Sequence, residues 1–159
     1  GPTRRDFLAT SAVTLSAAAY AGAGRKPNDR VRVAVMGLRV RGKQLAPAFA
    51  AAPNVEVTHL IDPDPAMVKP ALDALKNPAS PPKAATDVRT VLDDKTVTAL
   101  VVAAPDHWHA LATLWAAERG KHVYVEKPVS HNLAEGRRMV EAARKYKVVV
   151  QAGTQRRSQ

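Results

Sequence analysis

The chain has 159 residues, 46% of them hydrophobic, and a formal net charge of +10. That length suits one domain with a real core, and the composition excludes wholesale disorder. The absence of cysteine excludes a disulfide framework and a thiolate metal site. Only two Phe and three Tyr are present, and the basic residues are scattered in small clusters such as Arg137-Arg138, Arg144-Lys145 and Arg156-Arg157. Neither feature suits a nucleic-acid surface.

Residues 3 to 8 read Thr-Arg-Arg-Asp-Phe-Leu. A small and apolar run follows from Ala9 to Ala23, then Gly24-Arg25-Lys26-Pro27. A basic start, a weakly apolar stretch and small residues at its end are the parts of an export signal. The consecutive Arg4-Arg5 before Asp6-Phe7-Leu8 resemble the twin-arginine type. The run is too short and too rich in Ala, Ser and Thr to span a bilayer, so no stable membrane anchor is expected. The alternative is a surface arm in which Arg4-Arg5 is incidental. Residues 1–29 are therefore read as a signal or N-terminal arm with a periplasmic or otherwise exported address, and 30–159 as the folded domain.

Val31 to Met36 is a β-rich run with few polar breaks and reads as a buried parallel strand. Gly37-Leu38-Arg39-Val40-Arg41-Gly42 follows at once, and Gln44 to Ala52 reads as a helix with Pro47 near its first turn. Val55 to Ile61 is a second strand with Asp62 at its C-terminal end. This order opens a Rossmann unit: the first glycine permits the tight turn, the last permits close helix–strand packing, and a diphosphate sits on the helix N-terminal amides. Asp62 lies 20 residues past Gly42, where a carboxylate accepts bonds from the adenosine ribose. One departure stands out. The usual G-x-G-x-x-G has Arg39 at its middle glycine. Either Arg39 swings aside and pairs with phosphate oxygens, or the site is weakened. Asp62 repels a 2′-phosphate and favours NAD, while Arg39 and Arg41 leave NADP open.

Pro65 to Leu75 reads as a helix, Asn77 to Lys83 as a loop, and Asp87 to Leu92 as a short helix capped by Thr86. Thr98 to Ala103 is a third strand. The turn Ala104-Pro105-Asp106-His107-Trp108-His109 then leads into a helix running to about Arg119, with Leu111, Leu114 and Trp115 on one face and Gly120 as its stop. His122 to Val125 is a fourth strand, followed by Glu126-Lys127-Pro128. Asn132 with Glu135 resembles a capping box, and the helix behind it points Met139, Val140, Ala143 and Tyr146 at the core. Val148 to Ala152 is a fifth strand. Alternating strands and helices predict an α/β, doubly wound parallel sheet in three layers. Ligands in such sheets bind outside the carboxyl ends of the strands. Gly37, Asp62, Pro105 to His109 and Glu126 to Pro128 all fall there. His107 and His109 beside Asp106 do not make a metal set without further ligands, so no metal is expected.

The runs Ala104-Pro-Asp-His-Trp-His109, Gly120-Lys-His-Val-Tyr-Val-Glu-Lys-Pro128 and Gln151-Ala-Gly-Thr-Gln-Arg-Arg157 resemble the Gfo/Idh/MocA oxidoreductases, from about Arg30 to the last residue. The resemblance implies hydride transfer between a nicotinamide and a sugar or polyol. It implies that Lys127 is catalytic, hydrogen-bonding the reacting hydroxyl and assisting proton transfer. It implies that Glu126 shapes the nicotinamide pocket, that Pro128 holds a turn often carrying a cis bond, and that Ala104, Pro105 and His109 belong to the turn beside the cofactor. Members of that family carry a second α/β domain that holds the sugar and usually makes a homo-oligomer. A chain of these 159 residues alone is thus expected to bind cofactor weakly and turn over little. Two other readings stay open: an NAD-dependent glycosidase or epimerase of the same family, and a non-catalytic Rossmann module, for which Arg39 is the motive.

Overall fold

The computed structural model describes residues 30–76, 78 and 80–154. The arm of residues 1–29, with its Arg4-Arg5 motif, and Gln155 to Gln159 lie outside the described residues. The elements are β1 (Val31–Met36), α1 (Arg41–Ala50), β2 (Val55–Ile61), α2 (Val68–Ala74), β3 (Lys83–Ala85), α3 (Val88–Leu92), β4 (Ala99–Val102), α4 (His109–Glu118), β5 (His122–Glu126), α5 (Leu133–Tyr146) and β6 (Val150–Gly153). Single 3₁₀ turns at Pro65–Met67 and Asp106–Trp108 lead into α2 and α4.

All strand pairings are parallel, in the order β3-β2-β1-β4-β5-β6. The chain runs outward from β1 on one side, then returns to the other side of β1 at β4. A crevice therefore opens between the carboxyl ends of β1 and β4, where such sheets take their ligands. Alternation along β1 sends Val33 and Val35 to one face and Ala34 and Met36 to the other. The first pair packs with Leu45 of α1 and Ala71 of α2. The second packs with Val88 and Leu92 of α3, Ala112 and Ala116 of α4 and Met139 of α5. Helices thus cover both faces, and the central strands are apolar on both sides for that reason.

The structure corrects several expectations. The described sheet has six strands, because the predicted loop ends in the edge strand β3, three residues long behind a proline run. The strand read as the fifth is β6, and it starts at Val150 rather than Val148. Helix α1 begins at Arg41, not Gln44, so Pro47 lies well inside it and removes a main-chain bond to the Lys43 carbonyl. Asp87, not Thr86, caps α3: its Oδ1 accepts from the Arg89 amide at 2.9 Å. Val140 is exposed rather than in the core, since α5 buries Met139 and Ala142. On α4 the buried face is the small one, Ala112, Thr113, Ala116 and Ala117, which lets that helix lie close on the sheet. Leu111 is left exposed, and Trp115 is only partly buried. The capping of α5 is as expected: Asn132 Oδ1 accepts from the Glu135 amide at 2.9 Å. The Glu135 carboxylate reaches back to the His131 amide at 3.0 Å, one residue before the cap.

Candidate functional site

The turn after β1 is built for close approach. Gly37 has φ +86°, and a Cβ there would lie 2.5 Å from the Ala104 nitrogen in the turn after β4. A Cβ on Gly42 would collide with the Gly37 carbonyl oxygen. Only glycine allows both contacts, so the β1 turn, the β4 turn and the first turn of α1 close on one another. Helix α1 opens without a side-chain cap and without an acidic residue in its first turn. Its N-terminal amides and positive dipole end are therefore left for an anion.

Asp62, at the end of β2, is buried and oriented by main-chain donors. Its Oδ2 accepts from the Leu38 amide at 2.8 Å and its Oδ1 from the Asp64 amide at 3.0 Å. The carboxylate thus braces the glycine turn and faces the crevice in a fixed orientation. Each oxygen retains lone-pair capacity for a ribose hydroxyl.

These elements surround a cavity of about 810 Å³, within the usual size of a cofactor site. Of the residues singled out in the sequence, Gly37, Arg39, Val40, Arg41, Asp62, Ala104 and Pro105 line it. Arg39 is exposed on its rim, so the side chain that replaces the middle glycine stands clear of the turn's interior. Leu38 and Gly42 are buried beneath the turn and support it.

Apart from Trp108, which lies in the 105–109 turn, the far wall is not foreshadowed in the sequence. Thr86, Asp87 and Arg89 come from the start of α3, and Trp108 and Trp115 from the turn before α4 and from α4 itself. Arg89 is gripped by Asp87, with Nη2 to Oδ2 at 2.6 Å, and its guanidinium sits 5.7 Å from the Trp115 ring centroid. The hydrogen bond from Arg89 holds the Asp87 carboxyl below its ordinary range. This wall escapes a sequence reading because β3, which delivers Thr86 and Asp87 to the carboxyl edge, has the composition of a loop.

The turn after β5 is joined to this site rather than lining the cavity. Glu126 is buried, and Arg41 Nε donates to its Oε1 at 2.9 Å. That bond raises the Arg41 pKa above its ordinary value. The Tyr124 hydroxyl donates to the same oxygen at 3.3 Å. The Lys127–Pro128 peptide bond is cis. Lys127 is exposed at the carboxyl edge. His109 is buried and ties two turns together: Nδ1 lies 2.6 Å from the Pro128 carbonyl oxygen, and Nε2 lies 2.8 Å from that of Ala104. Asp106, in the turn before α4, has its carboxyl held below the usual range first by the hydrogen bond with His131. Among the described residues, no cluster of three metal-ligating side chains occurs. Nor is any described helix long and apolar enough to cross a membrane.

Residues 31–154 match the Gfo/Idh/MocA model, described as an oxidoreductase family with an NAD-binding Rossmann fold. The chain belongs to this family. Among Gfo/Idh/MocA relatives, a glycosyl hydrolase family 109 protein of Saccharopolyspora erythraea is 30% identical over 129 residues, covering 78% of this chain and 28% of that protein. Levoglucosan dehydrogenase of Pseudarthrobacter phenanthrenivorans is 30% identical over 130 residues, covering 76% of this chain and 32% of the enzyme. The fold is shared with scyllo-inositol dehydrogenase of Lactobacillus casei, solved with NAD(H) and scyllo-inositol: TM-score 0.73 at 20% identity, covering 82% of this chain and 38% of that one. The chain spans about a third or less of the length of these two curated relatives. The cofactor of the family's Rossmann domain is NAD, and the residues present fit it. They offer a glycine cradle that a Cβ would fill, an uncapped helix N-terminus and an oriented carboxylate at the end of β2.

Proposed function

We propose that this is the NAD-binding domain of an oxidoreductase that moves hydride between a nicotinamide and a hydroxyl carbon of a sugar or polyol. The observation that carries the reading is convergence. The glycine turn with Asp62 and the Glu126-Lys127-Pro128 turn meet at one carboxyl edge, joined by the Arg41–Glu126 ion pair. When bound, NAD supplies the hydride acceptor. The amides at the start of α1 hold the diphosphate, and Asp62 accepts from the adenosine ribose. The same carboxylate would repel a 2′-phosphate, which favours NAD over NADP. Lys127, the catalytic residue of this reading, hydrogen-bonds the substrate hydroxyl and assists the departure of its proton. Glu126, Pro128 and His109 place Lys127, and Ala104 and Pro105 border the cofactor.

The test offers a panel of sugars and inositols with NAD to the whole gene product and follows nicotinamide reduction. Reduction that Lys127→Met lowers by about a hundredfold or more, as expected for general acid–base help, supports the reading. Reduction untouched by that substitution would remove Lys127 from the chemistry.

A second reading has an observation of its own. The relative from Saccharopolyspora erythraea is named as a glycosyl hydrolase. In an NAD-dependent glycosidase, hydride taken from the sugar is returned to it. Glycoside cleavage without net NADH release would select that reading. The third reading, a non-catalytic module, would be selected by failure of the chain to bind either dinucleotide.

The address rests on Arg4-Arg5-Asp6-Phe7-Leu8 and the small apolar run behind it. We infer export by a twin-arginine route. Arg4→Lys with Arg5→Lys should trap the protein in the cytoplasm. Unchanged location in cell fractions would reject the route.

A further inference from the structure

Arg41 has two attachments. Its backbone begins α1, so its amide belongs to the cradle for the diphosphate. Its side chain leaves that cradle and reaches Glu126, at the end of β5, 85 residues on in sequence. Strand β5 does not neighbour β1; β4 lies between them. The guanidinium therefore crosses the carboxyl end of the sheet, from the phosphate turn to the turn that carries Lys127.

The surroundings favour a fixed arrangement. The Glu126 side chain is only 5% exposed, against 36% for Arg41, so the carboxylate is the buried partner and the guanidinium reaches in to it. Oε1 takes both the Arg41 Nε and the Tyr124 hydroxyl. Oε2 faces the Lys127 amide at 3.4 Å. On β6, a Cβ at Gly153 would lie 2.6 Å from the Tyr124 hydroxyl and 3.0 Å from Glu126 Oε1, so the neighbouring strand is kept bare where this cluster sits. Arg41 Nη1 turns outward to Gln44 Oε1 at 3.2 Å. The inner nitrogen is thus committed to Glu126, while the outer one holds an exposed contact.

We propose that Arg41 and Glu126 form a strut between the diphosphate cradle and the Lys127 turn, so that Arg41 is a positioning residue for the nicotinamide end of the cofactor. The inference rests on the dinucleotide reading of the site. Its consequence is specific. Losing the strut loosens the Lys127 turn relative to the cradle, so it weakens ligands that carry the nicotinamide and spares ligands that end at the second ribose. NAD is of the first kind. ADP-ribose, which lacks the nicotinamide, is of the second.

The experiment titrates the chain with NAD and with ADP-ribose by calorimetry. The variants are Arg41→Met, Arg41→Lys, Glu126→Met and the double Arg41→Met/Glu126→Met. Arg41→Met leaves a buried carboxylate without this partner and is the variant most exposed to misfolding. The double variant replaces the ion pair with two apolar side chains, a change that is often neutral for folding, and keeps the test decisive. The strut predicts that Arg41→Met, Glu126→Met and the double each weaken NAD by about tenfold, an ordinary coupling between sites, and change ADP-ribose by less than about twofold. The double is no worse than either single, because one link is being cut. Arg41→Lys, which can still reach Glu126 with one donor, recovers part of the NAD affinity. Equal weakening of both ligands by Arg41→Met, with Glu126→Met silent, would overturn the strut and make Arg41 a phosphate ligand. NAD affinity unchanged in the double would overturn it outright. If the unmodified chain bound neither ligand, the dinucleotide reading would fall and the strut with it.

Discussion

Gly37→Ala should destabilise the domain through two separable costs. The backbone has φ +86°, where a residue with a Cβ loses about 1–2 kcal/mol. The added Cβ also meets main chain, with Ala104 N at 2.5 Å, Ala104 Cα at 2.6 Å and the Ala103 carbonyl carbon at 2.7 Å. Main chain cannot swing aside as a side-chain tip can, so a further ~1–3 kcal/mol of overpacking is expected. The sum is about 2–5 kcal/mol, or a fall in Tm of roughly 8–20 °C for a domain of this size. Gly120→Ala is the internal control. Gly120 has φ +68° and nothing within 4 Å of where a Cβ would stand, so only the conformational cost applies and Tm should fall by about 4–8 °C. Calorimetric or circular-dichroism melts of the two variants isolate the steric part by difference. Equal shifts at the two glycines would refute the closure of the β1 turn on the β4 turn.

Asp62→Asn keeps the shape but leaves one oxygen for two amides, those of Leu38 and Asp64. It should cost about 1–3 kcal/mol in denaturant unfolding and weaken NAD, and an unchanged midpoint would contradict the bracing role. His109→Phe keeps a ring but removes both contacts to the Ala104 and Pro128 carbonyls. A loss of about 2–4 kcal/mol is expected, with faster hydrogen exchange in the turns at 104–106 and 128–130. Protection that stays unchanged there would refute the tie. Burial lowers the His59 pKa below 6.5, so the folded state disfavours the charged ring. The unfolded chain then binds the extra proton: this contribution is fully present above pH 6.5 and is lost as pH falls through that value. His59→Leu should flatten stability against pH just below 6.5, and an unaltered slope would refute it.

The sheet is legible in the sequence wherever a strand has to be apolar on both faces. Val31 to Met36 and Val55 to Ile61 have the observed bounds because both runs are rich in β-branched and aliphatic residues, even though β2 also carries Glu56, Thr58 and His59. Lys83–Ala85 carries no such signal, since an edge strand of three residues needs neither length nor continuous apolarity. That gap hides the Thr86, Asp87 and Arg89 side of the cavity. The start of helix α1 is hard to place because Arg41 and Lys43 look like turn residues, when an uncapped N-terminus is what an anion cradle requires. Gly37, Gly42 and Asp62 can be found from spacing, because the geometry that needs them is local. The Arg41–Glu126 and His109–Pro128 links cannot, because they join residues 85 and 19 positions apart.

Whether this crevice holds a dinucleotide is decided by calorimetric titration of the unmodified chain with NAD and NADP, beside Arg39→Gly. Saturable NAD binding by the unmodified chain is expected, with weaker binding of NADP. No requirement for glycine at position 39 is expected, because Arg39 stands at the cavity rim. Recovery of binding only in Arg39→Gly would show that Arg39 has closed the site. Binding of neither dinucleotide by either protein would contradict the assignment of the crevice as a cofactor site.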